Sequence, residues 1–160
     1  SIPDESELSV MARVDFAFGA EDRLRTTCEV IRKHYQQQHP LLVYCSQTEL
    51  LDRFDQFLWS FEPEAFIPHV DADDPLASNT PVLLTSRPPE PAMHAQSDTQ
   101  RIWLLNLDTA CPPNANQFNR ILEIVSLQPE DIEPARQRWL HYKTDGHDLH
   151  AHDLSARKST

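Results

Sequence analysis

The sequence predicts an α/β fold: a single domain with a mostly parallel central sheet of about five strands flanked by helices. Three observations carry that expectation. Strand-like and helix-like patterns alternate twice in succession from Val14 to Leu58, as in parallel strands joined by right-handed crossovers. Leu41-Leu42-Val43-Tyr44-Cys45 is a continuous apolar run, as a strand buried on both faces requires. The length, 160 residues, suits one domain with its own core and is short for two.

Val14 to Phe18 alternates and is rich in β-formers, so it reads as the first strand, ended by Gly19. From Glu21 to Gln38 the pattern turns helical, with Leu24, Cys28, Ile31 and Tyr35 on one stripe. After the second strand, Ser46-x-x-Glu49 reads as a capping box, opening a helix with Leu50, Leu51, Phe54, Phe57 and Leu58 inward. Ala65-Phe66-Ile67-Pro68 reads as a short third strand that Pro68 stops. Asp71 to Thr80 reads as an acidic loop and Val82-Leu83-Leu84-Thr85 as a fourth strand. Arg87 to Thr99, with Pro88, Pro89 and Pro91, reads as a surface loop. Ile102 to Leu107 is the fifth strand, placed centrally by its apolar start. Pro112-Pro113 then precede an expected helix with Phe118, Ile121, Leu122 and Val125 inward.

Pro134 constrains the last helix. Deep inside a helix a proline costs about 3 kcal/mol, whereas the first turn tolerates it. The main helix is therefore expected to start near Asp131, with Asp131 and Glu133 at its positive end and Lys143 at its negative end. Gly146 is placed as its C′ residue. Residues 1–10 read as an upstream extension ahead of Met11, residues 11–153 as the α/β domain and residues 154–160 as a flexible tail.

Composition narrows the function classes. With two glycines there is no GxxxxGK[ST] or GxGxxG loop, so the architecture is Rossmann-like without a Gly-rich phosphate loop. GxSxG, HExxH and CxxC are also missing, and Asp15 and Asp108 have no partner in sequence, so no catalytic residue and no cofactor is assigned. Acids outnumber bases 25 to 14, for a net charge of −11, which argues against direct nucleic-acid contact. No apolar run approaches the ~20 residues that cross a bilayer, and no signal-peptide pattern opens the chain, so no membrane contact is expected. The three cysteines are an odd number, and Cys28 and Cys45 lie in apolar stretches. They read as core side chains in a reducing compartment, and a cytoplasmic location follows.

Against that acidic background, Arg136, Arg138, His141 and Lys143 stand together around Trp139 with no acid before Asp145. On a helical wheel Ile132, Trp139, Leu140 and Lys143 fall within about 60° of Arg136, one arc that is both apolar and cationic. Such a mixture suits a C-terminal carboxylate beside an aromatic side chain: Arg136 binds the carboxylate and its apolar neighbours hold the ring. The same residues also fit a solvated helix whose Arg and Lys stems cover Trp139. A second cluster, Trp59, Phe61 and Phe66 with Pro63 and Pro68, fits either a core or a partner-facing patch. The run His147 to Asp153 puts His150 and His152 on one strand face, but without a closed ligand set it reads as a surface tail, not a metal site.

Three segments together resemble the chi subunit of bacterial DNA polymerase III holoenzyme. They are Leu51-Asp52-Arg53-Phe54-Asp55-Gln56-Phe57-Leu58-Trp59 followed by Phe66-Ile67-Pro68-His69; the opening strand, helix and strand; and Ala135-Arg136-x-Arg138-Trp139-x-x-Tyr142-Lys143-x-x-Gly146. The resemblance runs from about Met11 to Asp153 and implies a non-catalytic replisome adaptor. One face would bind the psi subunit of the clamp loader, or a helicase through the same face. The other would bind the acidic C-terminal tail of single-stranded-DNA-binding protein, which ends in Asp-Phe and a free carboxylate. Carried over, Arg136, Trp139, Leu140, Lys143, Ile132 and Arg138 form the tail site, and Trp59, Phe66, Phe61 and Pro68 the psi face. Leu140 and Ile132 stand where some members carry lysines, which shifts that site toward apolar contact. A nucleotide- or metal-dependent enzyme on an α/β scaffold is the alternative.

Overall fold

The computed structural model describes residues 11–61, 66–94 and 101–155. Its elements in chain order are β1 Arg13–Ala20, α1 Arg23–Gln36, β2 Leu41–Tyr44, α2 Thr48–Ser60, β3 His69–Asp71, β4 Val82–Thr85, β5 Trp103–Asn106, β6 Arg120–Ser126, α3 Pro129–Thr144 and β7 Asp148–Asp153. Among the described residues the strands form one seven-stranded sheet, ordered β3-β4-β2-β5-β6-β1-β7, in which every pair is parallel.

Alternation along the strands builds a core on each face of the sheet. Cys28 and Ile31 of α1 and Leu51, Phe54 and Leu58 of α2 pack with Leu41, Val43, Val82, Leu84, Leu105 and Leu122. The opposite strand faces, including Val14, Phe16, Leu104, Ile121 and Val125, pack under Ala135 and Tyr142 of α3 and under Ala77 and Phe118 of the loops. The stripe read from the sequence in α1 thus holds, with Leu24 and Tyr35 at its margins. Asp22 caps α1 by accepting from the Arg25 N–H at 3.1 Å.

Several expectations are corrected. Residues 120–126 form a strand, not a helix, although Phe118, Ile121, Leu122 and Val125 are all buried as expected. The spacing of those four residues is that of a helix face, but in the strand Ile121 and Val125 face one core and Leu122 the other. Burial of both faces of Ile121-Leu122-Glu123-Ile124-Val125 between β5 and β1 selects the strand. Residues 148–153 are not a surface tail but β7, paired with β1 at the sheet edge. These two segments account for the rise from the expected five strands to seven. The third strand lies at His69–Asp71, just after the expected one, and Ala65 falls outside the described residues. Ser46 does not cap α2: its hydroxyl donates to Asp108 at 3.0 Å, and Gln47 is the N-cap residue without a side-chain bond. Residues 1–10 and 156–160, and residues 95–99 of the expected 87–99 loop, also lie outside the described residues.

Pro129 starts α3 and Pro134 lies inside it, so the helix begins earlier than expected. The carbonyl that Pro134 leaves without an N–H partner belongs to Glu130, which is exposed to water. The C-terminus is as expected. Gly146 takes φ +86°, its N–H donates to the Lys143 carbonyl at 3.0 Å, and the His147 N–H donates to that of Tyr142 at 3.1 Å. That pair of bonds is a Schellman motif, and it turns the chain directly into β7.

Candidate functional site

Parity along β1 decides what lies beside α3. Val14 and Phe16 point toward α3, so Phe18 does too, but Phe18 lies beyond the packed core and stays half exposed. Val125 and Leu127 follow β6 to the same end, and Ala151 and Asp153 follow β7. Against them α3 sets Ile132, Ala135, Arg136, Trp139 and Leu140. The result is an open groove of about 670 Å³ with a mostly apolar lining. Its floor is Phe16, Val125 and Ala135, all at least 95 % buried. Its rim carries Phe18, Leu127 and Leu140, exposed by 40 %, 54 % and 56 %. Trp139 is fixed edge-on to Phe16 at 5.2 Å between ring centroids.

Arg136 stands at the rim with a side chain 73 % exposed. Its NH1 is 3.7 Å from Glu133, an equally exposed carboxylate, so this pair is loose and worth little. The guanidinium is therefore available to an oxyanion, and an apolar hollow wide enough for a phenyl ring lies against it.

The other sequence-predicted residues divide. Ile132, Trp139 and Leu140 line the groove with Arg136. Lys143 is exposed on α3 but does not line it. Arg138 does not belong to the site: its side chain is 3 % exposed and pairs with Glu123 of β6, Nε to Oε1 at 3.0 Å. Two residues along a helix amount to about 200°, so Arg136 and Arg138 point to opposite sides. Glu123, fully buried, also accepts from Asn106 Nδ2 at 2.8 Å and from the Tyr142 hydroxyl at 2.7 Å, while Arg138 NH1 donates to the Thr109 carbonyl at 2.9 Å. Burial first, then the Glu123 carboxylate, pushes the Tyr142 phenol well above its ordinary pKa, so it stays a donor. This network seats α3 on the sheet, and the Tyr142 ring passes the constraint to Phe16 at 5.8 Å and so to the groove.

Phe16, Phe18, Val125, Leu127, Ala151 and Asp153 were not singled out from sequence as site residues. The alternation in Val14 to Phe18 could have found the first two, since Phe16 and Phe18 share a face.

At the other end of the sheet, Trp59 (45 % exposed) and Phe66 (66 % exposed) form a contiguous aromatic patch with centroids 5.4 Å apart. Trp59 also lies 4.0 Å from the ring of buried His69, whose Nε2 is 2.9 Å from Asp55. Pro68 is half-buried beside them. Phe61 turns elsewhere, packing on Phe57 at 6.2 Å with the guanidinium groups of Arg25 and Arg32 each 5.6 Å from its ring centre.

In open α/β sheets ligands bind beyond the carboxyl ends of the strands, where the order of strands reverses. Here Arg23 lines a pocket at that end of the sheet and donates to the carbonyls of Ile124, Asn106 and Asp108 at 3.0–3.4 Å. Its surroundings include Glu21, Asp22 and Asp131, which disfavour a phosphate. Asp108 accepts from Ser46, and Asp15 is held by Arg13, Arg120 and His152. His150 and His152 share a face as expected and lie 2.9 Å from Asp148 and 2.8 Å from Asp15. Among the described residues no three His, Cys, Asp or Glu side chains are grouped to hold a metal ion, and no helix is long and apolar enough to cross a membrane. Cys28, Cys45 and Cys111 are free thiols, and burial pushes Cys111 up to about 12.

Comparison with known proteins agrees along nearly the whole chain. Residues 11–150 match the family described as DNA polymerase III chi subunit, HolC. A relative from Pseudomonas aeruginosa, named DNA polymerase III subunit chi, is 31 % identical over 148 residues, which cover 90 % of this chain and 98 % of the relative. The chain belongs to the DNA polymerase III chi subunit family.

Proposed function

We propose that this chain is a non-catalytic adaptor of the cytoplasmic replisome. It links the clamp loader, through the psi subunit, to the acidic C-terminal tail of single-stranded-DNA-binding protein. The observation that carries the reading is the apolar groove with the loosely paired guanidinium of Arg136 on its rim. The terminal carboxylate of the tail pairs with Arg136, and the last aromatic ring enters between Trp139, Ile132 and Leu140. Arg138 has no part in this contact, because it is committed to Glu123. The Trp59–Phe66 patch, with Pro68 beside it, suits an apolar partner surface such as psi or a helicase.

Titration of a fluorescent peptide copying such a tail tests the reading. Arg136→Ala removes a charge-assisted bond worth about 1.5–3 kcal/mol, so affinity should fall about 10- to 150-fold. Deleting the terminal phenylalanine should weaken binding as severely. A peptide that binds equally well without that residue sinks the assignment. Trp59→Glu or Phe66→Glu should abolish psi association and leave the peptide affinity unchanged; loss of both would mean that these rings hold the fold together. The competing reading, a nucleotide- or metal-dependent enzyme, is disfavoured by the carboxylates of Glu21, Asp22 and Asp131 around the pocket at the carboxyl ends of the strands. A large, specific rise in melting temperature with a nucleotide or a divalent metal would revive it.

A further inference from the structure

We propose that His69 is the positioning residue of the Trp59–Phe66 patch: its buried ring seats the Trp59 indole and ties it to the segment that carries Phe66, so that both rings meet a partner as one rigid surface. This rests on the patch being a docking surface for psi.

The two halves of the patch come from different parts of the chain, and neither is well held by its own backbone. Trp59 lies in the last turn of α2, one residue before its end at Ser60, where helices fray. Phe66 precedes β3, and residues 66–68 lie in no helix or strand. β3 itself is three residues long, and at the sheet edge it pairs with β4 alone. Along this stretch Ile67 and His69 are buried, whereas Phe66 and Pro68 are not.

The His69 imidazole joins the halves. Its Nδ1–H donates to the Ile67 carbonyl at 2.8 Å, which fixes the segment that leads from Phe66. Its Nε2 faces Asp55 Oδ1 at 2.9 Å. Asp55 and Trp59 are four residues apart on α2 and so share one side of the helix. The face of the imidazole lies against Trp59, with ring centroids 4.0 Å apart and planes 36° apart. Trp59 in turn lies 5.4 Å from Phe66 at the same tilt. One small ring therefore touches the helix through Asp55 and Trp59 and the segment through Ile67.

Two details separate His69 from an ordinary core histidine. The indole it seats stays 45 % exposed, so the stacking hides little apolar surface for the fold. Its Nε2 is also fully buried without an aligned hydrogen bond, since Asp55 is near but not in line. A buried polar atom left so costs stability, which an apolar side chain at this position would not. A leucine there would suit the core and would give Trp59 nothing flat to lie on.

Nuclear magnetic resonance of the indole N–H groups provides the test, with Trp59→Phe identifying the Trp59 signal among the three tryptophans. In His69→Leu and in Asp55→Ala the heteronuclear NOE of Trp59 should fall, as for a ring released to move within nanoseconds, while the Trp103 and Trp139 signals stay. Affinity for psi should drop about fivefold to tenfold in calorimetry, because two loose rings must then be ordered on binding. Affinity for the tail peptide should not change. Asp55→Ala replaces a partly exposed side chain and leaves the imidazole in place, so it reads the contact even where His69→Leu fails to fold. A Trp59 signal that neither substitution moves overturns the proposal, as does a released ring with psi affinity unchanged. Loss of psi and peptide binding together would make His69 a residue of the fold alone, which also overturns it. The psi reading fails differently: the unaltered chain does not bind psi, and the Trp59 signal then decides by itself whether His69 seats the ring.

Discussion

Arg136 and Arg138 are two residues apart and have opposite fates. One is free enough to serve a partner, and the other is locked into the interior by Glu123, Thr109 and the packing around Tyr142. Nothing in their local sequence separates them. The information sits on β6, and reading residues 120–126 as a helix hid Glu123 and with it the partner of Arg138. Arg138→Met should therefore destabilise the fold by about 3–5 kcal/mol in urea denaturation, since it strands a buried carboxylate. Adding Glu123→Gln should recover part of that loss, because the neutral amide needs no counter-charge. Asp15 offers a second measurement at this scale. Burial raises its pKa, but bonds from His152, Arg13 and Arg120 outweigh that effect and hold it below the ordinary value of 3.8. A lowered carboxylate stabilises the fold fully above its unfolded value, and that contribution fades as the pH falls through the lowered folded value. Asp15→Asn should be less stable than the unaltered chain at pH 7, and the difference should shrink as the pH falls through the lowered folded value.

The elements were legible where one period dominates and obscure where burial or polarity masks it. β1, α1, β2 and α2 alternate cleanly and stood out. β6 did not, because both its faces are buried, which removes the alternation, and its apolar residues happen to fall at helical spacing. β7 was missed for a different reason: Asp148-Leu149-His150-Ala151-His152-Asp153 is polar enough to pass for a tail, and only pairing with β1 makes it a strand. α3 was legible at its C-terminus through Gly146 and misjudged at its N-terminus, where Pro129 starts the helix. Gly146→Ala forces a side chain into a φ of +86°. It should cost about 1–2 kcal/mol and lower the melting temperature by a few degrees. It should also loosen the entry into β7, so the tail peptide should bind more weakly than the loss of stability alone predicts.

The two surfaces sit at opposite margins of the sheet, one beside β3 and the other beside β7. Six strand spacings separate these margins, about 29 Å. Among the described residues no shared side chain joins the Trp59 patch to the groove, so occupancy of one should leave the affinity of the other unchanged within about twofold. Calorimetry of the tail peptide, with and without psi bound, measures that factor directly. The groove itself has a further consequence. Its walls come from Phe16 and Phe18 near one end of the chain and from Ala151 and Asp153 near the other. A nascent chain from which residues 148–153 have not yet emerged therefore lacks one wall of the hollow. The hollow would then be closed to half-made copies, and a ligand could be captured only once β7 has joined the sheet.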